Sequence, residues 1–209
     1  MTRLVLVRHG EAQAYLEQVV AGEKGCTGLS DEGRRQAQAL AERLARTDEL
    51  APVDALYASV LPRAVETAAI IAPAVGAGGA LEIEQDCDLC ELHPGECDGM
   101  TWDEFRSRYG VEDGQWDPER VMSPGGESWL GFIERVRGGL GRLVEKHPDD
   151  TVVVACHGGV IIASMVIGLG VAPVGGNFRE GPANTSLTEW LIEDGTWKIV
   201  RYNDHAHLL

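Results

Sequence analysis

The sequence predicts an α/β protein: one domain with three α/β/α layers, a mainly parallel central sheet and an antiparallel edge hairpin. Three observations carry this expectation. Short runs rich in β-branched residues alternate with stretches whose apolar residues recur at helical spacing, the pattern of strands laid parallel by crossover helices. The run Thr151 to Cys156 is apolar without alternation, as a strand covered on both faces must be. Asp194-Gly195 stands between two strand-like runs and is a strong two-residue hairpin signal.

Each element follows from local pattern. Leu4 to Val7 reads as the first strand. Ala37, Leu40, Ala41 and Leu44 predict a helix from about Asp31, with Ser30 as its N-cap. Ala55 to Ala58 is a second strand, leading into a helix whose buried stripe is Leu61, Val65, Ala68 and Ala72. Leu81 to Glu84 reads as a third strand. The longest helix should start near Ser128: Trp129, Phe132, Ile133, Val136, Leu140, Leu143 and Val144 keep to one face, and Pro148 forbids continuation. After the central strand, Gly158-Gly159 leads into a buried helix over Val160 to Ile167. Ser186 to Ile192 and Trp197 to Tyr202 form the terminal hairpin. Residues 1–209 thus read as one domain without internal repeats. The stretch at about 87–124, irregular and rich in charge, Gly and Trp, reads as an insertion over the active-site end of the sheet.

Composition excludes several classes of function. The net charge is −15, from 33 acidic and 18 basic side chains, so a basic face for a phosphate backbone or an anionic membrane is not expected. A chain of 209 residues buries about 70% of its unfolded surface and needs neither disulfide nor metal to hold a core. Leu4 to Val7 is broken at once by Arg8-His9, far short of a signal peptide's apolar core, and the run Val152 to Ala155 is too short to span a bilayer. Five cysteines, an odd count, read as reduced thiols in a cytoplasmic protein.

The chemistry gathers at strand ends. Arg8-His9-Gly10-Glu11 directly follows the first strand, and ligands of open α/β sheets collect at carboxyl ends of strands. An arginine offers a planar fork of donors to a phosphate, and a neutral imidazole can attack phosphorus. Cys156-His157-Gly158-Gly159 repeats the arrangement after the central strand, placing a second imidazole at a helix N-terminus that favours an anion. Arg63 lies in the first turn of the helix that follows the second strand. Singly, each also reads as an ordinary strand-end or surface residue; three cationic groups at three strand ends of one fold point to a phosphate site.

Six segments in order resemble the histidine phosphatase superfamily, also called the phosphoglycerate-mutase-like family. They are Leu4 to Glu11, Leu29 to Ala37, Ser59 to Ala68, Leu89-Cys90-Glu91 with Gly95 and Gly99, Pro124 to Ser128, and Ala155 to Gly159. The resemblance implies a phosphatase that works through a phosphohistidine on His9. Arg8, Arg63 and His157 would hold the phosphoryl oxygens, with Thr27 and Gly28 counted among the phosphate-binding residues. Glu91 would be the acid that protonates the leaving oxygen and then the base that activates water. A carboxyl beside phosphate anions is raised toward working pH, and two arginines with a charged histidine stand where magnesium stands in other phosphoryl-transfer sites. No cofactor and no metal are implied; the partner is a small phosphorylated metabolite, not nucleic acid or membrane, and a homodimer is left open. Glu96 is the competing acid, and spacing to Gly95 and Gly99 favours Glu91.

The departures favour a phosphatase over the cofactor-dependent phosphoglycerate mutases. Ala12 and Tyr15 replace the usual Thr and Asn after the opening Glu, and Cys97 stands where an aromatic is usual. Thr27-Gly28 directly precedes Leu29-Ser30 without the intervening residues of the mutases. Their basic Trp-Arg-Arg segment is missing, although Arg106 and Arg108 could share one helical face. A catalytically silent phospholigand-binding module on the same fold is the rival from another class, disfavoured because nucleophile, clamp and acid are all present.

Remaining features have plainer readings. Cys87-Asp88-Leu89-Cys90 has metal or redox spacing, but only Cys97 and His93 are near in sequence, and incidental thiols are the better reading. Trp102, Trp116, Trp129, Trp190 and Trp197 read as packing. Asn203 to His207 is assigned to packing near the site mouth, and Gly76-Ala77-Gly78-Gly79 to a turn, since no helix signal follows it.

Overall fold

The computed structural model describes residues 1–76, 81–110, 117–172 and 181–209. Trp116 and most of the Gly76–Gly79 turn therefore lie outside the described residues, as does part of the 87–124 segment.

Six strands form one sheet: β1 (Thr2–Arg8), β2 (Ala55–Ala58), β3 (Ile83–Gln85), β4 (Thr151–Cys156), β5 (Leu187–Glu193) and β6 (Thr196–Asp204), in the order β3-β2-β4-β1-β5-β6. β3, β2, β4 and β1 run parallel; β5 is antiparallel to both β1 and β6, which gives the expected edge hairpin. Asp194 and Gly195 at its tip both take positive φ, 49° and 76°, as a turn matched to strand twist requires.

The helices are α1 (Gln13–Leu16), α2 (Asp31–Thr47), α3 (Pro62–Val75), α4 (Trp102–Tyr109), α5 (Trp129–Lys146) and α6 (Gly158–Leu169). Side-chain alternation along β1 and β4 divides the core. Leu4, Leu6, Val152 and Val154 face α5 and α6, packing on Phe132, Val136, Leu140, Val160 and Ile161. Val5, Val7 and Val153 face the other way, onto Leu40, Leu44, Ile71 and Val75 of α2 and α3. Every residue of β4 is buried, which explains its unbroken apolar run. Ser30 caps α2 by accepting from Gly33 N, as expected, and Ser128, near which α5 was expected to start, caps it by accepting from Gly131 N.

Four details differ from the sequence reading. The buried face of α3 is wider than expected: Leu61, Ala68 and Ala72 are buried as read and Val65 only partly so, while Arg63, Ala64, Thr67, Ile71 and Val75 turn inward as well. β3 starts two residues later than expected, its register set by pairing Ile83 to Leu56 on the four-residue β2. α1 has no apolar periodicity to announce it. Arg106 and Arg108 do not share a face of α4: two residues apart on a helix is about 200° of rotation. Accordingly Arg106 pairs with Asp103, and Arg108 lies over the Tyr109 ring.

Candidate active site

Sheet order brings the strand ends together. β4 lies between β1 and β2, with Arg8 in register with Cys156 and Ala58 with Ala155. The pairing continues one residue further, His9 N donating to Cys156 O at 2.9 Å and Ser59 N to Ala155 O at 3.0 Å. His9, His157 and Ser59 therefore sit side by side beyond the carboxyl edge of three adjacent strands.

The turn after β1 is built by two of the six motifs locking into each other. A Cβ on Gly10 would come within 2.4 Å of Gly33 O, and one on Gly33 within 2.1 Å of Glu11 O, so both positions need glycine for backbone approach. Ser30 Oγ donates to Glu11 Oε1 at 2.7 Å, and Glu11 N donates to Gln36 Oε1 at 2.9 Å. Glu11 thus fastens the turn to α2. From the other side, Gly10 N donates to Thr67 Oγ1, which itself donates to Arg63 O.

That turn fixes the His9 ring, which is 7% exposed. Its Nδ1 lies 2.6 Å from Gly10 O, and Arg63 Nε donates to its Nε2 at 3.2 Å. Both contacts require one tautomer, with the proton on Nδ1 and the lone pair on Nε2. Burial, followed by the charges of Arg63 and Arg8, drives His9 well below the ordinary imidazole pKa. The ring is neutral at neutral pH and presents an unprotonated nitrogen.

The clamp residues converge on it. The His157 ring centroid is 5.0 Å from that of His9. Ser59 Oγ accepts from Leu61 N at 3.3 Å and lies 2.6 Å from His157 Nε2, leaving its own proton for that nitrogen. His157 Nδ1 is then a buried N–H with no hydrogen-bond partner among the described residues. Arg63 is buried in the first turn of α3 and donates through Nη1 to Ala21 O. Arg8 donates through Nη1 to Pro182 O, while its buried Nε has no partner among the described residues. Two buried donors without a partner among the described residues, beside a neutral imidazole, can receive the oxygens of a phosphoryl group. One expectation is corrected here. Burial, Arg63, His9, Arg8 and Arg135 push His157 well down, so it is uncharged in this site rather than a standing cation.

Glu91 reaches the same edge from the 87–124 segment. Its Oε2 accepts from Gly159 N, in the first turn of α6, at 3.0 Å, and its Oε1 accepts from Leu92 N at 3.1 Å. A Cβ at Gly159 would stand 2.0 Å from Glu91 Oε1, which accounts for the second glycine of the Cys-His-Gly-Gly segment. Glu96 instead accepts from the Tyr109 hydroxyl at the surface, so the two candidate acids separate. Gly28 takes φ +107°, and a side chain there would strike Glu66 of α3, one turn beyond Arg63. Thr27 is exposed, and Gly28 O accepts from Gln13 N at 3.0 Å.

Several supporting residues escaped the sequence reading. Asn184 Nδ2 donates to His9 O, and Thr185 N donates to Arg8 O. Their loop is braced in turn by the C-terminal segment, through Asn203 Oδ1 on Ala183 N and His207 Nε2 on Thr185 Oγ1. The small polar run Ala183 to Ser186 before β5 was the available signal. Arg135 of α5 gives no such signal: it looks like any helical arginine. It donates to the carbonyls of Cys87, Asp88, Cys90 and Glu91 and pairs with Glu127, holding the Glu91 loop by its backbone.

The chain matches the histidine phosphatase superfamily (branch 1) over residues 4–205. It is 34% identical to phosphoglycerate mutase-like protein 4 of Arabidopsis thaliana, over 98% of this chain and 86% of that one. It is 31% identical to phosphoserine phosphatase 1 of Hydrogenobacter thermophilus, over 100% of this chain and 95% of that one. Among solved structures, a mycobacterial glucosyl-3-phosphoglycerate phosphatase complexed with VO3 superposes with a TM-score of 0.77 at 30% identity, covering 96% of this chain and 98% of that one.

Proposed function

We propose, from the premise that this chain belongs to the histidine phosphatase superfamily, that it is a metal-independent phosphomonoesterase acting through a phosphohistidine on His9. The observation that carries this is the neutral His9 ring, with Nδ1 tied to Gly10 O and its lone pair on Nε2 beside Arg63. Phosphatase-named relatives that span the whole chain support the reaction class.

The steps follow from the side chains. His9 Nε2 attacks phosphorus as the ester oxygen leaves. Arg8, Arg63 and the Nδ1–H of His157 hold the equatorial oxygens, and the incoming dianion favours protonation of His157. Glu91 in its acid form gives a proton to the leaving alkoxide, then as carboxylate takes one from the water that attacks the phosphohistidine. Thr27 and Gly28 are assigned to the rim that meets the rest of the substrate. Residues 1–209 act as one domain in this reading, with the 87–124 segment over the site.

The substrate is a small phosphorylated metabolite. The net charge of −15 weighs against nucleic acid, and among the described residues no helix is long and apolar enough to cross a membrane. The named relatives set the panel: O-phosphoserine, 3-phosphoglycerate, glucosyl-3-phosphoglycerate and an aryl phosphate. Release of inorganic phosphate from at least one, abolished in His9→Ala, is the expected result. Equal release by wild type and His9→Ala would overturn the assignment, and isomerisation of 3-phosphoglycerate without net release would transfer it to the mutases.

A further inference from the structure

We propose that Cys87, Cys90 and His93 form a binding site for one thiophilic divalent ion of the zinc class, sharing no ligand with the phosphate site and unused in hydrolysis. The fold brings together what sequence spacing left incomplete. One ligand atom from each of the three residues lies within 4.8 Å of the other two. Cys87 Sγ and His93 Nε2 are 3.6 Å apart. With Zn–S of about 2.3 Å and Zn–N of about 2.0–2.1 Å, two ligands of a tetrahedral ion stand roughly 3.5–3.6 Å apart, so this edge is already set. Cys97, the next thiol in sequence, donates to Pro94 O, and Cys26 packs in the same buried cluster as Cys90.

The surroundings support ligation. Glu127 Oε2 lies 3.6 Å from the other ring nitrogen of His93 and accepts from His93 N at 2.9 Å, so His93 is held at its backbone. Arg135 fixes the carbonyls of Cys87 and Cys90, so the chelating loop is held by the scaffold without the ion. The His93 side chain is 38% exposed, which gives an ion a way in and leaves a fourth position for water. On binding, the two thiols lose their protons to solvent and His93 contributes the lone pair of Nε2, giving a complex of no net charge. Cys90 and His93 flank Glu91, so an occupied site would also tether the loop that carries it.

The test uses the full chain, stripped with chelator under a non-thiol reductant and titrated with Co²⁺ and then Zn²⁺. One Co²⁺ per chain is expected, with thiolate-to-cobalt charge transfer in the near ultraviolet, intense visible bands of a tetrahedral ion, two protons released, and displacement by Zn²⁺. Cys90 is fully buried. The variants are therefore Cys87→Ser and His93→Ala, checked for native circular dichroism. Each should weaken binding by more than the roughly 10–100-fold that follows loss of an outer-shell partner. His9→Ala should bind as wild type does. Binding that survives both variants, binding lost in His9→Ala, a pale octahedral spectrum, or no uptake by the reduced protein would each overturn the proposal.

Discussion

At His9 two hydrogen bonds choose one tautomer, and burial beside two arginines keeps the ring neutral. The sign for catalysis follows: a depressed pKa leaves the nucleophile unprotonated in acid. The acidic limb of kcat/KM, which reports free enzyme, should lie below the ordinary imidazole value of about 6.5. A limb at or above that value would show that burial and the two arginines do not hold His9 neutral. Glu91 has a separable signature. Glu91→Gln should lower kcat for an alkyl phosphate by about 10²–10³-fold while sparing a good aryl leaving group, which needs no proton. Equal losses on both would place Glu91 outside proton transfer. His9 and His157 were legible in the sequence because each directly follows a strand and precedes a glycine. Glu91 was separated from Glu96 by glycine spacing, and its bond to Gly159 N supplies the physical reason. Ser59, Asn184 and Arg135 were not legible as site residues, since their roles depend on partners 98, 175 and 44–48 positions away.

The elements explain why short motifs suffice to build the site. Gly10 and Gly33 lie backbone to backbone, so the β1 turn is a joint between β1 and α2. Gly33→Ala would force its Cβ to 2.1 Å from Glu11 O. It should destabilise the fold by about 2–4 kcal/mol in denaturant titration, in the range of other strongly strained single substitutions. A cost near zero would show that the joint can relax. Arg135 is the corresponding joint for the loop of Glu91. Removing it leaves Glu127 without its ion-pair partner and the carbonyls of Asp88, Cys90 and Glu91 without that donor, so Arg135→Met should cost about 3–5 kcal/mol. Its kinetic loss should fall on alkyl phosphates, as in Glu91→Gln; an equal loss on aryl phosphates would mean that the loop positions something other than an acid. Strands and long helices were readable from periodicity, because both faces of β1 and β4 and one face of α2 and α5 are buried. The full width of the buried α3 face was not, because it also carries Arg63 and Thr67, which a hydrophobic pattern cannot register.

Over the whole molecule, charge and burial oppose each other. A net charge of −15 surrounds a pocket whose cations are the buried Arg63 and the partly buried Arg8, so the field beyond the pocket repels the anions the pocket would hold. Raising ionic strength from low salt should therefore increase kcat/KM for a dianionic substrate before site screening reverses it; a steady fall from the start would mean that local arginines dominate steering. Stability has a defined pH dependence as well. His9 and His157 are depressed by burial, and His207 is lowered to about 4, so the unfolded chain binds more protons than the folded one below the free imidazole value. Stability from these groups should be flat above about pH 6.5 and fall as pH drops toward their folded values. The most direct measurement is rapid quench with a ³²P-labelled substrate followed by peptide mapping. Label on His9 Nε2, stable to base, lost in acid and absent from His9→Ala, is predicted. Turnover with no labelled protein at any quench time, or label on another residue, would contradict the account.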